Sequence, residues 1–307
     1  ILVNGALLLI YPLMLRGMAV LLCINGMRIL KRGMLSLSKK VYNIAGFPRA
    51  GNTLLGSLLN QHPSVMATAH SVIPDMMYQL EGARLAGTFQ NFPDTKSYDS
   101  VLSNIIPNYY KDWDADFIIE RGDWITPFNF DQLTKYAPNE IKIVVLVRDV
   151  LDIIKSFIDV CKENPNFHIN TDYNQLNKSS LYTDEIETKC DIIMQKEGYV
   201  DRALYSLKWL IDSDNMTNIK IVEYNDLVTK PKEVLNSINK FYGLPTFEYE
   251  LNDLSQFEVN DVTYNDDYLA APLHIISTDG IKDVKSDTIL PDSVVRKYSG
   301  LEFWRDR

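Results

Sequence analysis

The stretch Gly46-Phe47-Pro48-Arg49-Ala50-Gly51-Asn52-Thr53 carries the most chemistry per residue in this chain. It follows a short apolar run, Val41 to Gly46, which reads as a strand. It opens a leucine-rich segment, Thr53 to Asn60, whose Leu54, Leu55, Leu58 and Leu59 share one helical face. A loop that enters a helix N-terminus presents backbone N–H groups without internal partners, together with the positive end of the helix dipole. Such a corner attracts an oxyanion. Gly51 permits positive φ or a close approach, Thr53 offers a hydroxyl, and Arg49 brings a cation. A plain strand–turn–helix corner with an exposed arginine would share the pattern.

A second group lies in Ile141 to Ser156. The near-continuous β-branched run Ile141 to Val147 predicts a strand buried on both faces, as in a parallel sheet. Arg148 then stands at the C-terminal end of that strand, where open α/β sheets bind ligands. Its planar fork suits a phosphate, and Ser156 follows eight residues on. The alternative is an ion pair of Arg148 with Asp149 or Asp152 and a surface role for Ser156. A third group, Glu223-Tyr224-Asn225-Asp226-Leu227, follows the predicted strand Ile219 to Glu223. Tyr224 there is either a stacking face for a base or a core tyrosine. The first loop has the spacing of a nucleoside-triphosphate loop, but Asn52 stands where that loop has its lysine. The exchange argues for a shorter anion than a triphosphate with Mg²⁺.

In this order and spacing the three groups resemble the sulfotransferases that use 3′-phosphoadenosine-5′-phosphosulfate (PAPS). Their 5′-phosphosulfate loop reads roughly Pro-Arg/Lys-Ser-Gly-Thr-Thr before a leucine-rich helix. Here it reads Pro48-Arg49-Ala50-Gly51-Asn52-Thr53-Leu54-Leu55. His62-Pro63 follows, as in tyrosylprotein sulfotransferases and related bacterial and viral enzymes. Ala50 and Asn52 depart from the pattern, each removing a hydroxyl. The resemblance covers most of residues 41–245. It implies a three-layer P-loop-type α/β fold, with a central parallel sheet flanked by helices. It also implies donor contacts from Pro48 through Leu54, a 3′-phosphate held by Arg148 and Ser156, and an adenine beside Tyr224. A weaker match at Ser277-Thr278-Asp279-Gly280-Ile281-Lys282 adds Ser277 and Lys282 as donor contacts, unless that stretch is a polar surface turn. The donor would be PAPS, with no metal, and the acceptor a small-molecule, glycan or peptide hydroxyl.

Sulfuryl transfer needs a cation at the leaving phosphate oxygen and a base for the acceptor proton. Arg49 fits the first task. Arg121, in Glu120-Arg121-Gly122, stands where relatives carry a lysine near the sulfate. For the base, tyrosylprotein sulfotransferases have a glutamate shortly after the first helix. The corresponding stretch here, Ala67 to Pro74, has no carboxylate. His70 is its only titratable side chain and is the candidate base, with Glu120 and Asp123 in reserve and a structural histidine as the bland alternative. Two other functions compete: a P-loop small-molecule kinase or NTPase, which requires Mg²⁺, and a nucleotide-binding module without turnover.

The elements that must position these residues follow from the rest of the sequence. A chain of 307 residues with 46% apolar residues suits one large α/β domain, placed at 39–307. A net charge of −9 excludes a global nucleic-acid footprint, so any cations must be gathered locally. Three scattered cysteines form no CxxC pair, and four histidines show no metal-ligand spacing. Residues 1–38 form an apolar segment, either an extension, a signal anchor or a core helix. Ala6 to Ile24 is about long enough to span a bilayer, but Pro12 and Arg16 interrupt it. Membrane association would run through residues 6–24 alone. The expected location is cytoplasmic, with membrane anchoring as the alternative. Periodicity predicts helices over Pro74 to Ala86, Ser97 to Tyr110, Phe128 to Tyr136, Asp149 to Val160, Lys232 to Tyr242 and Ser293 to Tyr298. It also predicts a helix over Asp184 to Asp212, broken at Gly198, and a short strand over Phe117 to Glu120. The Asn-rich stretch Glu163 to Thr183, with Asn166 and His168, reads as a loop or lid over the acceptor. Glu248 to Ser286 reads as loop-rich.

Overall fold

The computed structural model describes residues 39–177 and 185–306. The apolar segment 1–38, with the span proposed at 6–24, lies outside the described residues, as do residues 178–184. From Lys40 onward the chain is one compact unit. Five parallel strands form its central sheet: β1 (Lys40–Gly46), β2 (Val65–Ala67), β3 (Phe117–Arg121), β4 (Ile143–Val147) and β5 (Ile219–Glu223). Their order is β2-β3-β1-β4-β5. All five residues of β4 are buried, as its unbroken apolar run requires of a central parallel strand. The chain leaves β1 toward β2 on one side. It later crosses from β3 over β1 to β4 on the other. The strand order therefore turns about the C-terminal end of β1, where ligands of such sheets bind.

Helices flank this sheet. Before β5 these are α1 (Asn52–Asn60), α2 (Ile73–Gly82), α3 (Gly87–Asn91), α4 (Thr95–Tyr109), α5 (Pro127–Tyr136), α6 (Val150–Glu163), α7 (His168–Asn177), α8 (Glu185–Ile193) and α9 (Tyr199–Asp212). After β5 come α10 (Tyr224–Thr229), α11 (Pro231–Tyr242) and, near the C-terminus, α12 (Asp292–Tyr298). The break between α8 and α9 falls at Gly198, as the sequence predicts.

Several expectations need correction. The helix expected over Pro74 to Ala86 ends at Gly82 and continues as a 3₁₀ turn, Ala83–Leu85, and then α3. The polar stretch read as a lid carries a helix, α7. It is anchored by buried Ile169 and by Asn170, whose amide donates to the Cys161 and Asn164 carbonyls. Asp149 caps α6 through its side chain. The loop-rich tail holds only a two-residue hairpin, β6 (Glu258–Val259) with β7 (Val262–Thr263), and a 3₁₀ turn, Asp267–Leu269. This tail, called the strap below, is tied to the body by Ser57 donating to the Ser255 carbonyl and by Gln61 paired with the Glu250 backbone, and the Gln256–Ile276 pair joins two parts of the strap itself. Among the described residues no helix is long and apolar enough to cross a membrane.

Candidate active site

The loop between β1 and α1 is built for close approach. Arg49 has φ of 60° and Gly51 a φ of 84°, so two residues of the turn are left-handed. For arginine that conformation carries strain, which concentrates at functional sites. A Cβ on Gly51 would lie 3.1 Å from Tyr224 Cδ2, and one on Gly46 would run into the Leu146 carbonyl. Gly51 is also the N-cap of α1, and no side chain caps that helix. Its first N–H groups are left for an incoming acceptor. Asn52 does not replace the missing lysine. It is buried, and its amide donates to the Phe47 carbonyl at 2.8 Å, so it ties the loop together. Ala50 lies wholly in the core. Pro48, Thr53 and Leu54 line the cleft above the corner.

The end of β4 comes to the same place. Arg148 Nη1 donates to the Arg49 carbonyl at 2.8 Å, and its guanidinium lies 4.2 Å from the centre of the Tyr224 ring. Its Nε is buried and has no partner. Arg148 forms no ion pair with Asp149 or Asp152. Asp149 caps its own helix instead, and Asp152 pairs with Lys155. Arg49 reaches across to α6, its Nε donating to Ser156 Oγ at 3.0 Å and its Nη1 to the Leu273 carbonyl at 2.8 Å. Burial, and then the Arg148 charge, pull the Arg49 pKa down. One face of Tyr224 is already taken by Arg148, so a base would meet the ring elsewhere.

The end of β3 supplies a third cation. Arg121 Nη1 donates to the Ala69 carbonyl at 2.6 Å and to Thr53 Oγ1 at 3.4 Å. Burial lowers its pKa. His70 lines the cleft from the turn after β2. Desolvation between the cleft walls, and then the Arg121 charge, hold its pKa below the usual 6.5. Asp123 lines the cleft too. Glu120 does not. Strand side chains alternate, so Glu120 points to the face opposite Arg121. It is fully buried there among Ser71, Trp124 and Tyr110. Burial pushes its carboxyl up to about 8.

The strap closes the remaining side. Ser277 and Lys282 line the cleft, with Lys282 paired to Asp279 at 3.0 Å. The strap also brings in His274, which sequence reasoning missed. Its Nδ1 meets Asp266 Oδ1 at 2.7 Å, and its backbone N–H donates to Asp266 Oδ2 at 2.7 Å. The cleft has a volume of about 970 Å³. Among the described residues, Arg49, Arg121 and Arg148 all face it and none forms an ion pair.

The sulfotransferase family model matches residues 43–248, two thirds of the chain. The chain belongs to the sulfotransferase family. It is 22% identical over 222 residues to nodulation protein H of Rhizobium tropici, covering 69% of this chain and 79% of that one. Among solved structures it is similar to the sulfotransferase domain from the curacin biosynthetic pathway. The TM-score is 0.51 at 14% identity, covering 84% of this chain and 95% of that one, which supports the shared fold.

Within this sulfotransferase the loop and Arg148, two of the segments the sequence singled out, face one cavity, as a shared ligand requires. Ser156 is there too, bonded to Arg49. The signal for His274 is faint: an aspartate eight residues before a histidine in a segment without periodicity. No spacing rule marks such a pair, because a loop and not a helix brings the two together.

Proposed function

We propose that this sulfotransferase takes its sulfuryl group from PAPS and passes it to a hydroxyl acceptor without a metal ion. One observation carries the reading: three guanidiniums without counter-charges converge on an uncapped helix N-terminus in a single cleft. Cations held partly out of water call for anionic partners. A donor with phosphate at both the 3′ and 5′ positions, and a sulfuryl group beyond, supplies them. The cleft is also of a size that suits a nucleotide.

The residue roles follow from position. The N-terminus of α1 and Thr53 would hold the 5′ end. Arg148, with its unused Nε, and Ser156 would hold the 3′-phosphate, once Ser156 is released from Arg49. Arg49 and Arg121 would face the bridging oxygen and the sulfuryl oxygens, where negative charge grows in the transition state. The acceptor proton passes to an imidazole in the cleft. Arginines and backbone amides supply the neutralisation that Mg²⁺ supplies in kinases. The buried tie made by Asn52 leaves no lysine for a γ-phosphate, which disfavours a kinase.

The test is thermal stability with 3′-phosphoadenosine 5′-phosphate (PAP) and with ATP, in Mg²⁺ and in chelator. Ligand at 100 times its Kd stabilises the folded state by about 2.7 kcal/mol. The expected result is a PAP response that survives chelator and disappears in Arg148→Ala. A response confined to Mg²⁺ with ATP would overturn the reading.

A further inference from the structure

We propose that His274, held by Asp266 on the strap, is the general base that takes the acceptor proton in this enzyme. The proposal rests on the sulfotransfer reading above and assigns a residue to its proton-transfer step.

The geometry is that of an oriented imidazole. Both oxygens of Asp266 are engaged by His274, one by Nδ1 and one by the backbone N–H, each at 2.7 Å. The Asp266 side chain is only 6% exposed and that of His274 16%, so the pair is held inside the wall of the cleft. The Tyr264 ring packs edge-on against the imidazole, 4.9 Å between centres. A carboxylate on Nδ1 fixes the proton there and leaves the lone pair on Nε2, the tautomer that a base requires. Among the described residues Nε2 has no hydrogen-bond partner, and His274 faces the cleft.

The placement is equally specific. The Leu273 carbonyl, adjacent in sequence, accepts from Arg49 Nη1 at 2.8 Å. Before the donor binds, the loop that would hold its phosphate therefore touches the residue next to the base, which puts the base within reach of that end of the donor. His70 lies in the same cleft, yet among the described residues no hydrogen bond orients its ring. Arg121 acts electrostatically on both imidazoles. The groups that bear on His274 are Arg121 from β3, Arg49 from the phosphate loop, His70 from the turn after β2, and Asp266 and Tyr264 from the strap. Burial first, and then Arg121, hold the His274 pKa below the usual 6.5 against the opposing pull of Asp266. The imidazole is neutral near pH 7 and free to accept a proton. In the transfer the acceptor oxygen forms its bond to sulfur as the bond from sulfur to the donor phosphate oxygen breaks. That oxygen keeps the electron pair beside Arg49, and the acceptor proton goes to Nε2.

The test uses the full chain and PAPS, following PAP release with water and with a nitrophenol as acceptors. A nitrophenol is already ionised at mildly alkaline pH and needs no base. His274→Gln should lose about 100-fold or more in transfer to water and far less in transfer to the nitrophenolate, with PAP affinity within about twofold of wild type. Asp266→Asn should lose less, and its acid limb should move to lower pH because a group that raises the His274 pKa is gone. His70→Gln should show a smaller loss than His274→Gln. Nitrogen NMR of the histidine rings gives a readout without turnover: His274 should carry its proton on Nδ1 at neutral pH. A large loss in His70→Gln with little change in His274→Gln, or a His274 proton on Nε2, would overturn the assignment. Failure of wild type to bind PAP would instead strike the donor reading, and the NMR result would still judge the dyad.

Discussion

Glu120 and Arg121 are neighbours in sequence and opposites in chemistry, because one residue of strand turns a side chain from one face of the sheet to the other. Arg121 meets the cleft. Glu120 is sealed beneath it as a neutral acid, its pKa pushed up by burial to about 8. The folded protein therefore keeps a proton on Glu120 between the ordinary 4.5 and 8, where the unfolded chain has released it. Stability contributed by this group falls as pH rises through that window, by up to about 1.4 kcal/mol per pH unit. Glu120→Gln should flatten that slope in denaturant midpoints measured from pH 5 to 8, and should keep turnover at neutral pH. A slope unchanged by the substitution would mean that Glu120 is ionised in the fold. Sequence alone put Glu120 among the reserve bases because it carries no sign of which face it takes. Arg49 and Arg148 were legible because each stands at a strand end whose direction fixes where the side chain goes. Asn52 was half-legible: the missing lysine was plain, but the tie to the Phe47 carbonyl was not. Asn52→Ala should cost about 1 kcal/mol of stability and weaken PAP binding by loosening the loop, as read by thermal shift. If PAP affinity holds while stability falls, the tie serves the fold alone.

The corner from β1 to α1 works as an element because its backbone is bent twice into the left-handed region, at Arg49 and Gly51. Gly51 has a further constraint, the Tyr224 ring, whose Cδ2 lies a tight 3.1 Å from where a Cβ would stand. Gly51→Ala should therefore cost about 1–3 kcal/mol of stability and reduce PAP affinity by more than the stability loss alone explains, measured by chemical unfolding and calorimetric titration. Unchanged PAP affinity in a folded Gly51→Ala protein would count against this corner as the phosphate site. The long buried strand β4 and the amphipathic α6 and α11 were readable from periodicity. The three-residue β2, Val65–Ala67, was not, since it lacks a β-branched run and is defined by pairing with β3. Helix α7 escaped for a related reason: its sequence is polar, and only Ile169 and Asn170 are buried. His62, beside Pro63 in the family pattern, turns out to be a structural clamp. It is buried, accepts the Ser64 N–H at 3.1 Å and meets the Pro245 carbonyl at 3.2 Å. It thereby joins the end of α1 to the turn after α11.

At the scale of the molecule, a chain with net charge −9 concentrates unpaired cations at one point, the place where the strand order turns about β1. Three distant segments meet there: the corner after β1, the end of β4 with α6, and the strap. In this structure Arg49 links all three, through its own backbone, Ser156 and the Leu273 carbonyl. A phosphate drawn to Arg49 competes for both of those side-chain bonds. The strap's other ties to the body, Ser255 with Ser57 and Glu250 with Gln61, are untouched by that competition. Donor binding should therefore act on two parts of the strap differently. Amide exchange around residues 254–257 should stay as it is, while exchange around residues 271–274 should change when PAP is added, the segment re-forming around the ligand in place of the Arg49 bond. Arg49→Ala should show altered exchange at 271–274 without ligand and a smaller further change with it. Uniform protection across the whole strap would instead mean that PAP orders it as one body. The Arg49 bond to Leu273 would then be incidental to how the base-bearing segment is placed.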